Sequence, residues 1–164
     1  MGEDNAHYDN ITDNGTGHLI LSNDTSNSIS TKRFDDIIAQ HQFKPNLIKI
    51  DTDGFDFKVI RSAPETLKTY KSALYFEWDK AYLEQNNEDS TSIFHFLAQL
   101  GYDECLIFDN FGTPLCQAHC QEDGLSFSLL ADYPQKSQNN IYYYDVLVFH
   151  KNSNLSISEL VKYL

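Results

Sequence analysis

Basic residues are scarce in this chain: 12 Lys and Arg stand against 24 Asp and Glu, a formal charge of −12. Such a surface repels phosphate backbones and anionic bilayers, and no local basic patch offsets it, so neither nucleic acid nor a membrane is expected as a partner. Long apolar runs are also missing, and none approaches the ~20 residues that a membrane helix requires. The opening MGEDNAHYDN is polar and acidic, unlike a secretion signal. Cysteine occurs three times, an odd number that suits reduced thiols and a cytoplasmic location better than a disulfide framework. With no secretion signal, the sequons at Asn10, Asn14, Asn23 and Asn154 read as polar loop residues. No Ser/His/Asp set, Gly-rich phosphate loop or C-x-x-C pair appears.

What is present argues for a globular chain. Hydrophobic residues make up 41% of the 164 and aromatics 13%, enough for one domain with a real core. Residues 1–31 form a polar segment with one expected strand over His18 to Ser22. Residues 32–164 read as an α/β unit. Lys32 to His41 is an amphipathic helix with Phe34, Ile37 and Ile38 on one face. A helix capped by Ser90 or Thr91 carries Ile93, Phe94, Phe96, Leu97 and Leu100, and Gly101 stops it. Tyr102 to Phe108 is a strand, and Asp109 to Gly112 turns it back through Thr113 to Gln117. Gly124 to Leu130 is ambiguous. Asp132 to Asn140, with Pro134, reads as a loop, and Ile141 to Phe149 as a long strand. Ser156 and Glu159 form a capping box for a last helix.

The centre of the chain is Leu47 to Asp79. Leu47-Ile48-Lys49-Ile50 is a short apolar strand ending in Asp51, Asp53 and Asp56 around Gly54. A helical segment follows, and Pro64 and Glu65 open another helix. Ala73 to Phe76 is a second strand, ending in Glu77, Trp78 and Asp79. This is a β-α-β unit, whose two strands lie parallel and bring their carboxylates to the C-terminal edge of a sheet. Strands ~4.8 Å apart let acids at their ends meet one ion or one hydroxyl. Three uses stay open: bonding of the turn's own backbone, positioning or deprotonating a substrate hydroxyl, and binding of Mg²⁺ or Ca²⁺. Cys105 with Cys116-x-x-His119-Cys120 suggests a zinc site, set against ordinary reduced thiols. Among the aromatics, Trp78 is the pocket candidate, while His95 reads as packing.

LIKIDTDGFDFKVIRSA followed by ALYFEWD resembles the C-terminal half of FkbM-type methyltransferases, whose pattern runs roughly "lKIDvEGaE", then a strand ending in "iE". Asp53 stands where the family usually has Glu, and Asp56 where it has a second acid. The resemblance reaches, more weakly, from about Phe34 to Phe149. It implies a Rossmann-like, mostly parallel sheet whose antiparallel last strand inserts between its two predecessors. It also implies S-adenosylmethionine as cofactor and methyl transfer to a sugar or metabolite hydroxyl. On this reading Asp51, Asp53 and Glu77 are the catalytic candidates, Trp78 and Asp79 bind substrate, and no residue is assigned to a metal.

The Gly-rich turn that holds the cofactor in such enzymes is not found. Gly15 and Gly17 precede the apolar island rather than follow a strand, and no cofactor-binding residue can be named. The chain therefore reads as the family's C-terminal portion, a fragment or split half, inactive when isolated. A non-catalytic interaction domain and an acidic metal-binding module are the alternatives. Leu47 to Ile50 would then be an exposed apolar edge, covered by Leu19 to Leu21, by a second copy or by a partner chain.

Overall fold

The computed structural model describes residues 7–13, 16–21, 29–137 and 140–164. Two sheets carry the described chain. The smaller is antiparallel in the order β2-β1-β3, built from β1 His7–Asp13, β2 Thr16–Leu21 and β3 Ile29–Ser30. The single expected strand is thus one of three; its last residue, Ser22, lies outside the described residues. β1 pairs with β2 from Tyr8 opposite Leu21 to Asp13 opposite Thr16. That ladder satisfies the backbone of a polar stretch whose side chains carry little strand signal.

The larger sheet has five strands in the order β4-β5-β8-β6-β7. They are β4 Leu47–Ile50, β5 Ala73–Trp78, β6 Tyr102–Asp109, β7 Pro114–His119 and β8 Tyr144–His150. β4 and β5 are parallel neighbours, Leu47 opposite Ala73 and Ile50 opposite Phe76, as the β-α-β reading expects. That is the sheet's one parallel ladder. β8 runs antiparallel to both β5 and β6, and β7 antiparallel to β6. The expectation of a mostly parallel sheet is therefore corrected to a mixed one. The last strand is antiparallel, but it lies between β5 and β6 rather than between its two immediate predecessors β6 and β7, because β7 folds back on β6 as a hairpin. The Asp109–Gly112 turn then sends β7 back along the outer side of β6. β4 forms the opposite edge, and within the described residues it has no strand on its outer side; β2, the proposed cover, belongs to the other sheet.

Helices connect these strands: α1 Phe34–His41, α2 Asp56–Arg61, α3 Pro64–Tyr70, α4 Lys80–Gln85, α5 Ser92–Gln99, α6 Gly124–Lys136 and α7 Ile157–Leu160. The loop expected over Asp132 to Asn140 is corrected, since α6 continues through Pro134 to Lys136. The proline sits in the last turn, where few helix bonds remain to be lost. Asp132 ties that turn down by pairing with both Lys80 and Lys136. At α5 the N-cap residue is Thr91, one of the two expected, but its side chain makes no capping bond; Asp89 Oδ1 accepts instead from the amides of Thr91 (2.8 Å) and Ser92 (3.1 Å). α3 is capped from a distance, because Asp35 accepts from the amides of Glu65 and Thr66. Ser156 caps α7 through the Glu159 amide, as its motif predicts.

One face of the large sheet is sealed. Ile48, Ile50, Leu74, Phe76, Trp78, Cys105, Ile107, Val146 and Val148 pack against Phe57 and Ile60 of α2, Leu67 of α3, Phe94 and Leu97 of α5, and Phe127 of α6. The other face has a smaller cluster, in which Ile157 of α7 covers Ala73, Leu106, Phe108 and Phe149.

Candidate functional site

Side chains alternate across a strand, so neighbouring residues of β5 meet different surroundings. Phe76 and Trp78 point into the sealed core, at 0% and 1% exposure, whereas Tyr75 and Glu77 are half-buried on the other side. Lys49 of β4 stands opposite Tyr75, and Asp145 of β8 stands opposite Glu77. Asp51, just past the end of β4, adds its carboxylate at the same edge and accepts from Lys49 Nζ at 2.7 Å. Lys49 and Asp51 are exposed on this face, and Glu77 and Asp145 are partly so.

The turn after β4 is shaped by its own acids. Asp53 and Gly54 are both left-handed, with φ of 48° and 88°. A Cβ on Gly54 would lie 2.7 Å from the backbone of Tyr82, so α4 packs where only glycine fits. Asp56, 1% exposed, closes the turn: its Oδ2 accepts from Thr52 Oγ1 (3.2 Å) and from the Gly54 amide (3.3 Å). Burial pushes its carboxyl above the usual range. Backbone bonding, one of the three uses left open by the sequence, therefore belongs to Asp56. It also belongs to Asp79, whose Oδ1 caps α4 through the amides of Ala81 (2.7 Å) and Tyr82 (3.2 Å).

Glu77 is the perturbed group. Partial burial pushes its carboxyl up to about 8, and the negative charges of Asp56, Asp51, Asp79 and Asp53 push the same way. Asp145 is raised as well, first by burial and then by Asp51, against the opposing pull of the Tyr75 hydroxyl. Tyr75 is pushed up to about 12 by burial and by Asp145. A carboxyl that changes charge near neutral pH, on an accessible edge among like charges, has the electrostatics of a group that holds or moves a proton.

Of the residues singled out by sequence, Asp51 and Glu77 come together with Asp53 beside them. Trp78 does not join them. Its indole packs against Phe94, Phe127 and Tyr144, and its Nε1 donates to the Ser90 carbonyl at 2.6 Å. A substrate wall at Trp78 is therefore corrected to a core anchor, because strand alternation turns it away from Glu77. Sequence reading missed Asp145 and Lys49 and gave Tyr75 to core packing. An acid inside the otherwise apolar run Tyr144-Asp145-Val146 was the available signal for Asp145.

Among the described residues, no three His, Cys, Asp or Glu are gathered so as to hold a metal ion. None of the four glycines whose surroundings are described offers an open cradle for S-adenosylmethionine after a parallel strand. Gly54 is filled by Tyr82 and Gly101 lies against His150. The two with open space, Gly112 and Gly124, sit in a hairpin turn and at the start of α6 rather than after a parallel strand. The model of the "Methyltransferase FkbM domain" matches residues 5–104, more than half of the chain. The chain belongs to the FkbM methyltransferase family. The match takes in the small sheet, runs through the acid turn and Glu77, and ends inside β6; β7, α6, β8 and α7 lie beyond it. No curated protein and no solved structure matches the chain. Among the described residues, no helix of this FkbM domain is long and apolar enough to cross a membrane.

Proposed function

We propose that this FkbM domain carries the acceptor side of S-adenosylmethionine-dependent O-methyl transfer, with a sugar or small-metabolite hydroxyl as acceptor. The observation that carries this reading is the family match over residues 5–104, which takes in the acid turn and the end of β5, where burial and neighbouring carboxylates raise Glu77. Ionised Glu77 accepts a hydrogen bond from the acceptor hydroxyl and takes its proton as that oxygen becomes nucleophilic. Burial and the charges of Asp56, Asp51, Asp79 and Asp53 keep the proton affinity of Glu77 high, and Asp51, Asp53 and Asp145 offer further acceptors for neighbouring hydroxyls. The cofactor supplies the methyl group, and polypeptide other than the described residues holds it.

The test is methyl transfer from labelled S-adenosylmethionine to hydroxylated acceptors, in lysates expressing the chain so that any cofactor-holding polypeptide is present. Chain-dependent transfer should rise with pH to a plateau above about 8 and fall ~100-fold in Glu77→Gln. Transfer unaffected by that variant would overturn the assignment. The purified chain alone should bind the cofactor weakly. One exposed charge contact contributes about 1 kcal/mol, against the ~7 kcal/mol that ~10 µM binding needs. A low-micromolar constant by isothermal titration would locate a cofactor site within the 164 residues.

A second reading rests on the β4 edge. Phe43 and Leu47 are about 60% exposed there, beside a groove of ≈ 390 Å³ lined by Phe34, Ile38, Pro45 and Ile48. An added strand from a second copy or from a partner polypeptide would cover that edge. Light scattering of the purified chain distinguishes self-association from a monomer awaiting another partner.

A further inference from the structure

The cysteine motif plays no part in the acid site. β6 and β7 pair with Cys105 opposite Ala118 and Glu104 opposite His119, which brings Cys120 diagonally across from Cys105. Their sulfurs lie 3.2 Å apart, and the two residues are 0% and 4% exposed. The Cys120 amide donates to the Asp103 carbonyl at 2.9 Å, so the backbone fixes the pair rather than chance rotamers. Cys116 stands apart in register, opposite Ile107, and is only partly buried.

We infer that Cys105 and Cys120 are a redox modification site, forming a reversible intramolecular disulfide with a low-molecular-weight disulfide such as oxidised glutathione as oxidant. The sulfurs need to close by about 1 Å to reach bonding distance. Cys120 attacks first, because it lies just past the end of β7, the sheet's outer strand, where local opening exposes it. Cys105, held between β7 and β8, keeps its proton: its hydrogen bond with Cys120 and its burial raise the thiol well above the ordinary range. In the first step the Cys120 thiolate bonds to one glutathione sulfur, and the glutathione S–S bond breaks, releasing one glutathione thiolate. In the second step Cys105 gives up its proton and bonds to the Cys120 sulfur, releasing the second glutathione. Two protein thiols are oxidised by two electrons, and one glutathione disulfide is reduced to two thiols. The product staples β7 and the following turn to β6.

The experiment uses the full chain, incubated with oxidised glutathione, quenched in acid, denatured and labelled with a maleimide before intact mass measurement. The wild type should take one label instead of three, and Cys116→Ser should take none. Dithiothreitol should restore three and two labels respectively. Cys116 is partly exposed, so its serine variant keeps the fold and separates a Cys105–Cys120 link from any other. Cleavage at Asp109 should leave the Cys105 and Cys120 peptides joined in both proteins. Three labels after oxidation, a link requiring Cys116, or disulfide-linked dimers would each overturn the inference.

Discussion

The two faces of the five-stranded sheet share the same strands and differ in nearly everything else. On the sealed face, Phe94 and Phe127 stack with ring centroids 3.7 Å apart, and Trp78 meets Phe94 edge-on at 5.0 Å. On the open face, one residue away along β5, Glu77 sits among carboxylates with its own charge disfavoured. Stability is concentrated on one side and an electrostatically costly group is held on the other. The same strand thus anchors the fold and presents the chemistry, because β alternation separates the two tasks by a single residue.

The comparison breaks first if the sealed face is not the source of stability. Phe94→Ala should cost about 3–5 kcal/mol, since it leaves a cavity between two aromatic rings and the indole. Denaturant unfolding measures this, and a loss under about 1 kcal/mol would contradict the assignment. Next comes the turn joining the faces. Gly54→Ala must adopt a positive φ and push Tyr82 aside, a loss of about 2 kcal/mol by the same measurement.

A smaller effect sharpens the open face. Glu77 has its folded pKa raised from 4.5 to about 8, so the folded state holds a proton that the unfolded chain releases. Its contribution is fully present below the unfolded value near 4.5 and is lost as pH rises through about 8. Glu77→Gln, which cannot ionise, should therefore flatten the fall in stability across that window. At pH 9 it should be more stable than the wild type by on the order of 1 kcal/mol, discounted for solvent screening at a half-exposed carboxylate. Stability curves at pH 5 and pH 9 check the sign. The smallest effect belongs to Leu47→Ala, at an exposed edge position on the open side, with an expected change within about 0.5 kcal/mol.

The parallel pair β4–β5, the acid turn and the cap of α7 were legible because each is encoded within a few residues: an apolar run, an Asp-rich turn, a Ser-x-x-Glu box. Gly101 read as a helix stop for the same reason, and its φ is 92°. What was not legible depends on distant chain. β1 was overlooked although Asn14-Gly15, a dipeptide favoured in two-residue hairpin loops, lies between the ends of β1 and β2. Its pairing with β2 is a contact between two stretches, which neither spells out alone. The mixed sheet was misjudged because pairing partners follow from how β8 inserts, which no local pattern specifies. Trp78 neighbours Glu77 in sequence, yet alternation along β5 turns it into the core. Asp145 was missed because it meets Glu77 only across the β5–β8 ladder.

The central claim is that Glu77 changes its charge near neutral pH on an accessible edge. Carboxyl ¹³C NMR of the glutamate-labelled chain tests it, with Glu77→Gln assigning the resonance among eight glutamates. The account predicts that the resonance missing in the variant titrates in the wild type with a midpoint near 8. A Glu77 midpoint in the ordinary range between 4 and 5 would contradict it.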